Sequence, residues 1–128
     1  MLTHSDALVA NTRFYEAFRG RDAQAMEQLW ARTHDCFCLH PGWAALTGRD
    51  TVVESWNRIL SNAASPEVFV YGEEIVASGN CIFVLCYEVM DQAILVASNG
   101  FVEEDGHAVM VSHQSGQCAE PPEPPTLQ

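Results

Sequence analysis

Basic residues are scarce in this chain. Six Lys and Arg stand against 17 Asp and Glu, a formal net charge of -11. Such a charge repels a nucleic-acid backbone or an anionic membrane surface, so neither is expected as a partner. Long apolar runs are lacking too, and none approaches the ~20 residues of a membrane span. The opening MLTHSDALVANTRF has no basic region followed by an apolar stretch, so no secretory leader is expected. The five cysteines, at 36, 38, 81, 86 and 118, include no C-x-x-C knuckle. An odd count without a leader argues for free thiols and a cytoplasmic location. A nucleophile elbow, a phosphate loop and a dinucleotide fingerprint are all missing. No cofactor and no metal are expected.

What is present suffices for a single domain: 128 residues, 48% of them hydrophobic. Leu8, Asn11, Tyr15 and Phe18 recur at helical spacing and predict a helix over 5–19, ended by Gly20. Two of those four are polar-capable, which is odd for a stripe facing pure core. Asp22 is placed to cap a short second helix with Met26, Leu29 and Trp30 inward. A third helix is expected over 50–63, with Val52, Val53, Trp56, Ile59 and Leu60 on its inner side.

Strands dominate from Glu67 onward: 68–78 with a bend at Gly72, then 80–90, 93–104 and 107–115. Asp91-Gln92 and Asp105-Gly106 read as two-residue hairpin loops. Counting back from them sets Tyr87 opposite Val96, Leu85 opposite Ser98, and Ser98 opposite His113. One sheet face then carries Phe83, Leu85, Tyr87, Val89, Ile94, Val96, Val109 and Val111, with Ser98 and His113 side by side. That nearly apolar face is expected under the helices. The other face carries Leu95, Phe101 and Met110, which need cover and read as a homodimer interface, with Glu88 at its rim. The expected fold is α+β, three N-terminal helices on a strongly curved, mostly antiparallel sheet. The domain is expected over 1–116, with an acidic, proline-rich, disordered tail over 117–128.

The stretch Cys36–Trp56, CFCLHPGWAALTGRDTVVESW, organises the rest. A short strand ends at His40, Pro41-Gly42 break it, and Trp43–Leu46 form an apolar flap. A helix, with Thr47 as its expected N-cap, then brings Trp56 back across them. HPGW followed by L-x-G-R-D-x-V-x-x-S-W resembles the SnoaL-like branch of the nuclear-transport-factor-2-like superfamily. NTRFYEAF at 11–18 and the segment 105–116 agree with it, so the resemblance spans about residues 5–116. It implies a cone-shaped domain with an internal pocket at the open end, and dimerisation through the open sheet face.

The resemblance also implies a site. The ketosteroid-isomerase branch uses a helix-one Tyr, a carboxylate base at the end of strand one, and a protonated acid on a later strand. These positions fall at Tyr15, His40 and Ser98, so the base has changed type and the second acid is missing. A histidine near neutral pKa still suits proton abstraction. Tyr15, His40, Ser98 and His113 are therefore the candidate catalytic residues, with Trp30, Trp43, Trp56 and Tyr87 lining the pocket for a small apolar molecule. Each has a plain structural alternative, as a satisfied core polar group or a core aromatic. The expected function is binding of a compact apolar substrate, with isomerase, cyclase or hydrolase chemistry through a histidine base. The alternative is a non-catalytic dimerisation or assembly module whose cavity is filled by its own side chains.

Overall fold

The computed structural model describes residues 1–125; the end of the expected tail, residues 126–128, lies outside the described residues. Three helices come first or lie between short strands: α1 (His4–Arg19), α2 (Ala23–Leu29) and α3 (Arg49–Ser61). Six strands complete the chain: β1 (Phe37–Leu39), β2 (Leu46–Thr47), β3 (Val68–Ser78), β4 (Cys81–Met90), β5 (Ala93–Glu104) and β6 (His107–Gln117). They form one sheet in the order β2-β1-β6-β5-β4-β3, antiparallel except where β1 runs parallel to β6. The helices fill the concave side of this curled sheet, giving an α+β cone.

Local chemistry sets most boundaries. Thr3 and Asp6 form a reciprocal capping box that starts α1, and the Asp22 side chain accepts from the Ala25 N–H to start α2. The third helix differs from expectation. Thr47 is not its cap but lies in β2, opposite Phe37. The N-cap is Gly48, with φ +88° and no side-chain bond, and its N–H donates instead to the Cys36 carbonyl. Tying the helix start to β1 replaces the side-chain cap. On α1 the buried residues are Ala7, Ala10, Asn11, Phe14, Tyr15, Ala17 and Phe18, so Leu8 lies off the stripe and is exposed.

Both hairpins close on two-residue loops, and Asp105-Gly106 has both φ angles positive, as a type I′ turn requires. Tyr87 faces Val96 and Leu85 faces Ser98, as counted from the sequence. Two features overturn the rest. A bulge between Gly100 and Phe101 leaves Val111 out of the β5–β6 ladder, so His113 faces Asn99 rather than Ser98. More consequentially, the helices cover the opposite face. Val84, Cys86, Glu88, Ala97, Asn99, Phe101 and Met110 are buried, whereas Phe83, Leu85, Tyr87 and Ser98 are half-buried and Val96 is exposed. Leu95, Phe101 and Met110 are thus not an open interface; Phe101 and Met110 belong to the core. Glu88 is no rim residue either, being 0% exposed.

The reason is polar matching. The inward stripe of α1 carries Asn11 and Tyr15, and a buried polar group without a partner costs about 1–3 kcal/mol. The sheet face with Glu88 and Asn99 offers several partners, and the nearly apolar face, with Ser98 and Tyr87, offers few. Satisfying the helix therefore outweighed burying every valine.

Candidate functional site

Six elements converge inside the cone. The helix α1 presents Tyr15 and Asn11, β4 presents Glu88 and Cys86, β5 Asn99, and β6 His113 and Ser115. The end of β1 brings His40, and α3 brings Ser55 and Trp56. All of these are buried. Two adjoining hydrogen-bonded groups result.

The deeper group is centred on Glu88. Its Oε2 accepts from Tyr15 Oη at 2.7 Å and its Oε1 from Ser115 Oγ at 2.5 Å. Tyr15 has spent its only proton there, so its oxygen accepts from Asn99 Nδ2 at 3.0 Å. The other hydrogen of Asn99 Nδ2 goes to Asn11 Oδ1 at 2.8 Å. Asn99 Oδ1 is then left as an acceptor, and His113 Nδ1 lies 2.6 Å from it. His113 must therefore carry its proton on Nδ1 and present a bare Nε2. Burial holds Glu88 above the usual carboxylate range, partly offset by the Ser115 and Tyr15 hydroxyls. Burial also pushes Tyr15 well up, with the nearby Glu88 adding to it.

The shallower group is centred on His40, at the end of β1. Its Nε2 lies 2.9 Å from Ser55 Oγ, and that hydroxyl spends its proton on the Val52 carbonyl at 2.7 Å. Nε2 is accordingly the protonated nitrogen and Nδ1 the basic one, the opposite tautomer from His113. Burial lowers His40 to about 4, with His113 adding to the shift, and lowers His113 to about 3. Both are neutral imidazoles at pH 7. Their rings lie 6.2 Å apart, and Trp56 packs against both, at 4.8 Å from His40 and 5.6 Å from His113. The indole N–H of Trp56 is buried and has no protein hydrogen-bond partner, although it lies near enough to draw down the Cys38 thiol, which burial raises to about 12. Trp43 lies over His40 at 4.8 Å from an exposed turn, with the Arg58 guanidinium beside its outer face.

The structure thus unites Tyr15, His40, His113, Trp43 and Trp56. Ser98 and Tyr87 stand on the other side of the sheet, where Tyr87 stacks on Tyr71. Trp30 is fully buried in the same core beside Met110. Glu88, Asn99, Asn11, Ser55 and Ser115 are the members that sequence reasoning missed. The polar pair on the α1 stripe was the available signal for Glu88 and Asn99. The cone itself is filled: Phe14, Tyr15, Trp56 and His113 are each at most 2% exposed. A groove of about 880 Å³ runs elsewhere, between α1, α2 and the β5–β6 turn.

This architecture has known counterparts. The sequence signature of the SnoaL-like domain matches residues 8–119. The chain belongs to the SnoaL-like family. Among solved structures, it is similar to a candidate dehydratase of the NTF2-like family from Streptomyces avermitilis. The two share 26% identity over 91% of this chain and 96% of that one, with a TM-score of 0.81. A candidate calcium/calmodulin-dependent protein kinase type II association domain from Thiobacillus denitrificans superposes with a TM-score of 0.75. It shares 24% identity over 85% of this chain and 92% of its own, a likeness of fold. By sequence, the F-box protein SKIP8 of Arabidopsis thaliana is 25% identical over 107 residues. That match takes in 82% of this SnoaL-like chain but 46% of SKIP8, so the chain spans less than half of that relative.

Proposed function

We propose that this SnoaL-like domain binds a compact, largely apolar carbonyl compound beneath the Trp43 flap and abstracts a proton next to its carbonyl. His40 Nδ1 is the base, and the Trp56 indole N–H donates to the oxygen on which charge develops. That step is common to isomerases, cyclases and dehydratases, and the candidate dehydratase among the similar structures supports this class. One observation carries the reading: a buried indole N–H with no oxygen or nitrogen acceptor in the protein and only the Cys38 thiol beside it, packed against two neutral imidazoles. A buried donor left unpaired costs about 1–3 kcal/mol, and a substrate oxygen would recover it. Tyr15, Asn99 and Glu88 act in this reading by holding His113. The reading also takes the protein as cytoplasmic and homodimeric, through the part of the open sheet face with Phe83, Leu85 and Val96. Among the described residues no helix is long and apolar enough to cross a membrane.

A panel of compact aryl β-hydroxy ketones tests it, followed by tryptophan emission for binding and by the absorbance of the conjugated product for turnover. The expected outcome is quenching of Trp43 emission by a subset, and a roughly 100-fold or greater loss of turnover in His40→Ala. No binding by any member, with His40→Ala folded, would defeat the enzyme reading.

The filled cone favours a second reading, an assembly module with a vestigial cavity. It expects Trp43→Ala to leave small-molecule binding absent and self-association intact. The first reading expects that variant to open the mouth and change affinity.

A further inference from the structure

Beyond β6 the chain continues as CAEPPEPP through residue 125 with no regular secondary structure. Its course is nevertheless defined. The hydroxyl of Tyr71, on β3, donates to the carbonyl of Pro122 at 2.6 Å. Since β5 and β4 lie between β6 and β3 in the sheet, the segment spans two strands to reach it. Cys118 and Pro121 are half-buried along the way.

The contact rests on a built platform. The rings of Tyr71 and Tyr87 stack at 5.4 Å and 28° on the sheet face away from the helices. Next to Tyr71 the ladder shifts register, and Gly72 has φ +71°. A Cβ there would come within 3.0 Å of the Tyr87 ring, so glycine is what lets the two tyrosines stack. Stacked aromatics with a hydroxyl aimed at a proline carbonyl are the means by which grooves hold proline-rich segments, whose restricted φ lowers the entropy lost on binding. The charges do not help the segment present. All Lys and Arg positions lie at or before Arg58, β3 carries Glu73 and Glu74, and the segment carries Glu120 and Glu123.

We propose that the Tyr71–Tyr87 platform is a docking site for proline-rich segments, filled here by the chain's own tail, and that its partner in trans is a proline-rich segment bearing Arg or Lys where the tail bears Glu. The tyrosine hydroxyl holds either segment by its backbone carbonyl; complementary charge favours the basic one over the acidic one. The site is separate from the His40–His113 group, on the opposite face of the sheet.

The test adds three synthetic peptides, AEPPEPP, ASPPSPP and ARPPRPP, to the full-length protein. The Tyr71 and Tyr87 ring resonances report binding, and the alkylation rate of Cys118 reports displacement of the tail. ARPPRPP is expected to bind tightest and AEPPEPP weakest, with the gap narrowing as salt rises. Tyr71→Phe, checked for folding by near-ultraviolet circular dichroism, should lower affinity at least fivefold. A full-length chain with Pro121 and Pro122 changed to Ser should bind ARPPRPP more tightly, because the competing tail is weakened. The proposal is overturned if no peptide moves the Tyr71 and Tyr87 signals, if affinity ignores peptide charge, or if Tyr71→Phe binds as well as the parent.

Discussion

The two faces of the sheet invert the usual arrangement. The covered face holds Glu88, Asn99, His113 and Ser115, with His40 at the end of β1, bonded into networks with Asn11, Tyr15 and Ser55 of the covering helices. The uncovered face shows Phe83, Leu85, Tyr87, Val96 and Phe69, with Phe69 about half exposed. Alternation along a strand therefore separates two faces without saying which is inside. What decides is whether the covering element needs polar partners, and α1 does. The difference is also one of rigidity in chemical terms. The covered face fixes tautomers and protonation states, while the uncovered face offers area.

Acid should affect the covered face most. His40 and His113 have native pKa values of about 4 and about 3, below the ordinary 6.5. A depressed native value means that the unfolded chain binds the proton first. Their contribution is complete above pH 6.5 and is lost as pH falls toward 4 and then 3. Unfolding free energies from urea titration should fall between pH 6.5 and 4.5 by on the order of 4 kcal/mol for the pair. That window lies above the range where Glu104, held near 2 by hydrogen bonds from Arg32, Thr33 and His34 despite partial burial, begins to matter. A flat profile over that window would show that the histidines are not buried as neutral groups.

The next largest contrast comes from two adjacent residues. Asn99→Ala removes partners from Asn11, Tyr15 and His113 together and should cost about 3 kcal/mol. Ser98→Ala, one residue away on the other face, should stay within about 0.5 kcal/mol. Equal effects measured by chemical denaturation would erase the distinction between the faces.

Much of this was legible in the sequence. The helices and long strands, the two hairpin loops, the β4–β5 register and the nearness of Tyr15, His40, Trp43 and Trp56 follow from periodicity, turn chemistry and the HPGW resemblance, whereas His113 was placed beside Ser98 and reaches the site by a different register. The β5–β6 bulge was not read, although Gly100 inside β5 stands at the shift as Gly72 does on β3. The identity of the covered face was missed because Glu88 and Asn99 were weighed one strand at a time. Set against Asn11 and Tyr15 on α1, they supply the carboxylate and amide partners that helix finds on the sheet. Ser55 was invisible for another reason: a serine inside a helix reads as solvent-facing until its bond to His40 is seen.

Glu88→Gln sharpens the contrast more gently. Glutamine keeps the shape, accepts from Tyr15 and reorients toward Ser115, while the uncompensated charge is gone. Because burial raises the native pKa of Glu88, its contribution is present below the unfolded value and declines as pH rises through the native one. The variant should thus gain on the parent as pH rises from about 4 to about 8. Parallel denaturation curves at both pH values would mean that Glu88 is solvated or paired in a way its two hydroxyl partners do not explain.

The smallest effect on the folded chain should come from the uncovered face, where the largest effect on assembly is expected. Val96 is 40% exposed, near the middle of β5, opposite Tyr87 and Gly116. Val96→Glu removes little buried area, so chain stability should change by less than about 0.5 kcal/mol. If a second copy packs on this face, the new carboxylate is desolvated against apolar side chains, and in a two-fold interface it is introduced twice. Sedimentation at micromolar concentration should then show the parent as a dimer and the variant as a monomer. Sedimentation of the parent as a monomer would remove the dimer. A dimer that persists in the variant would move the interface off this face, and the apolar surface around Val96 would need another occupant.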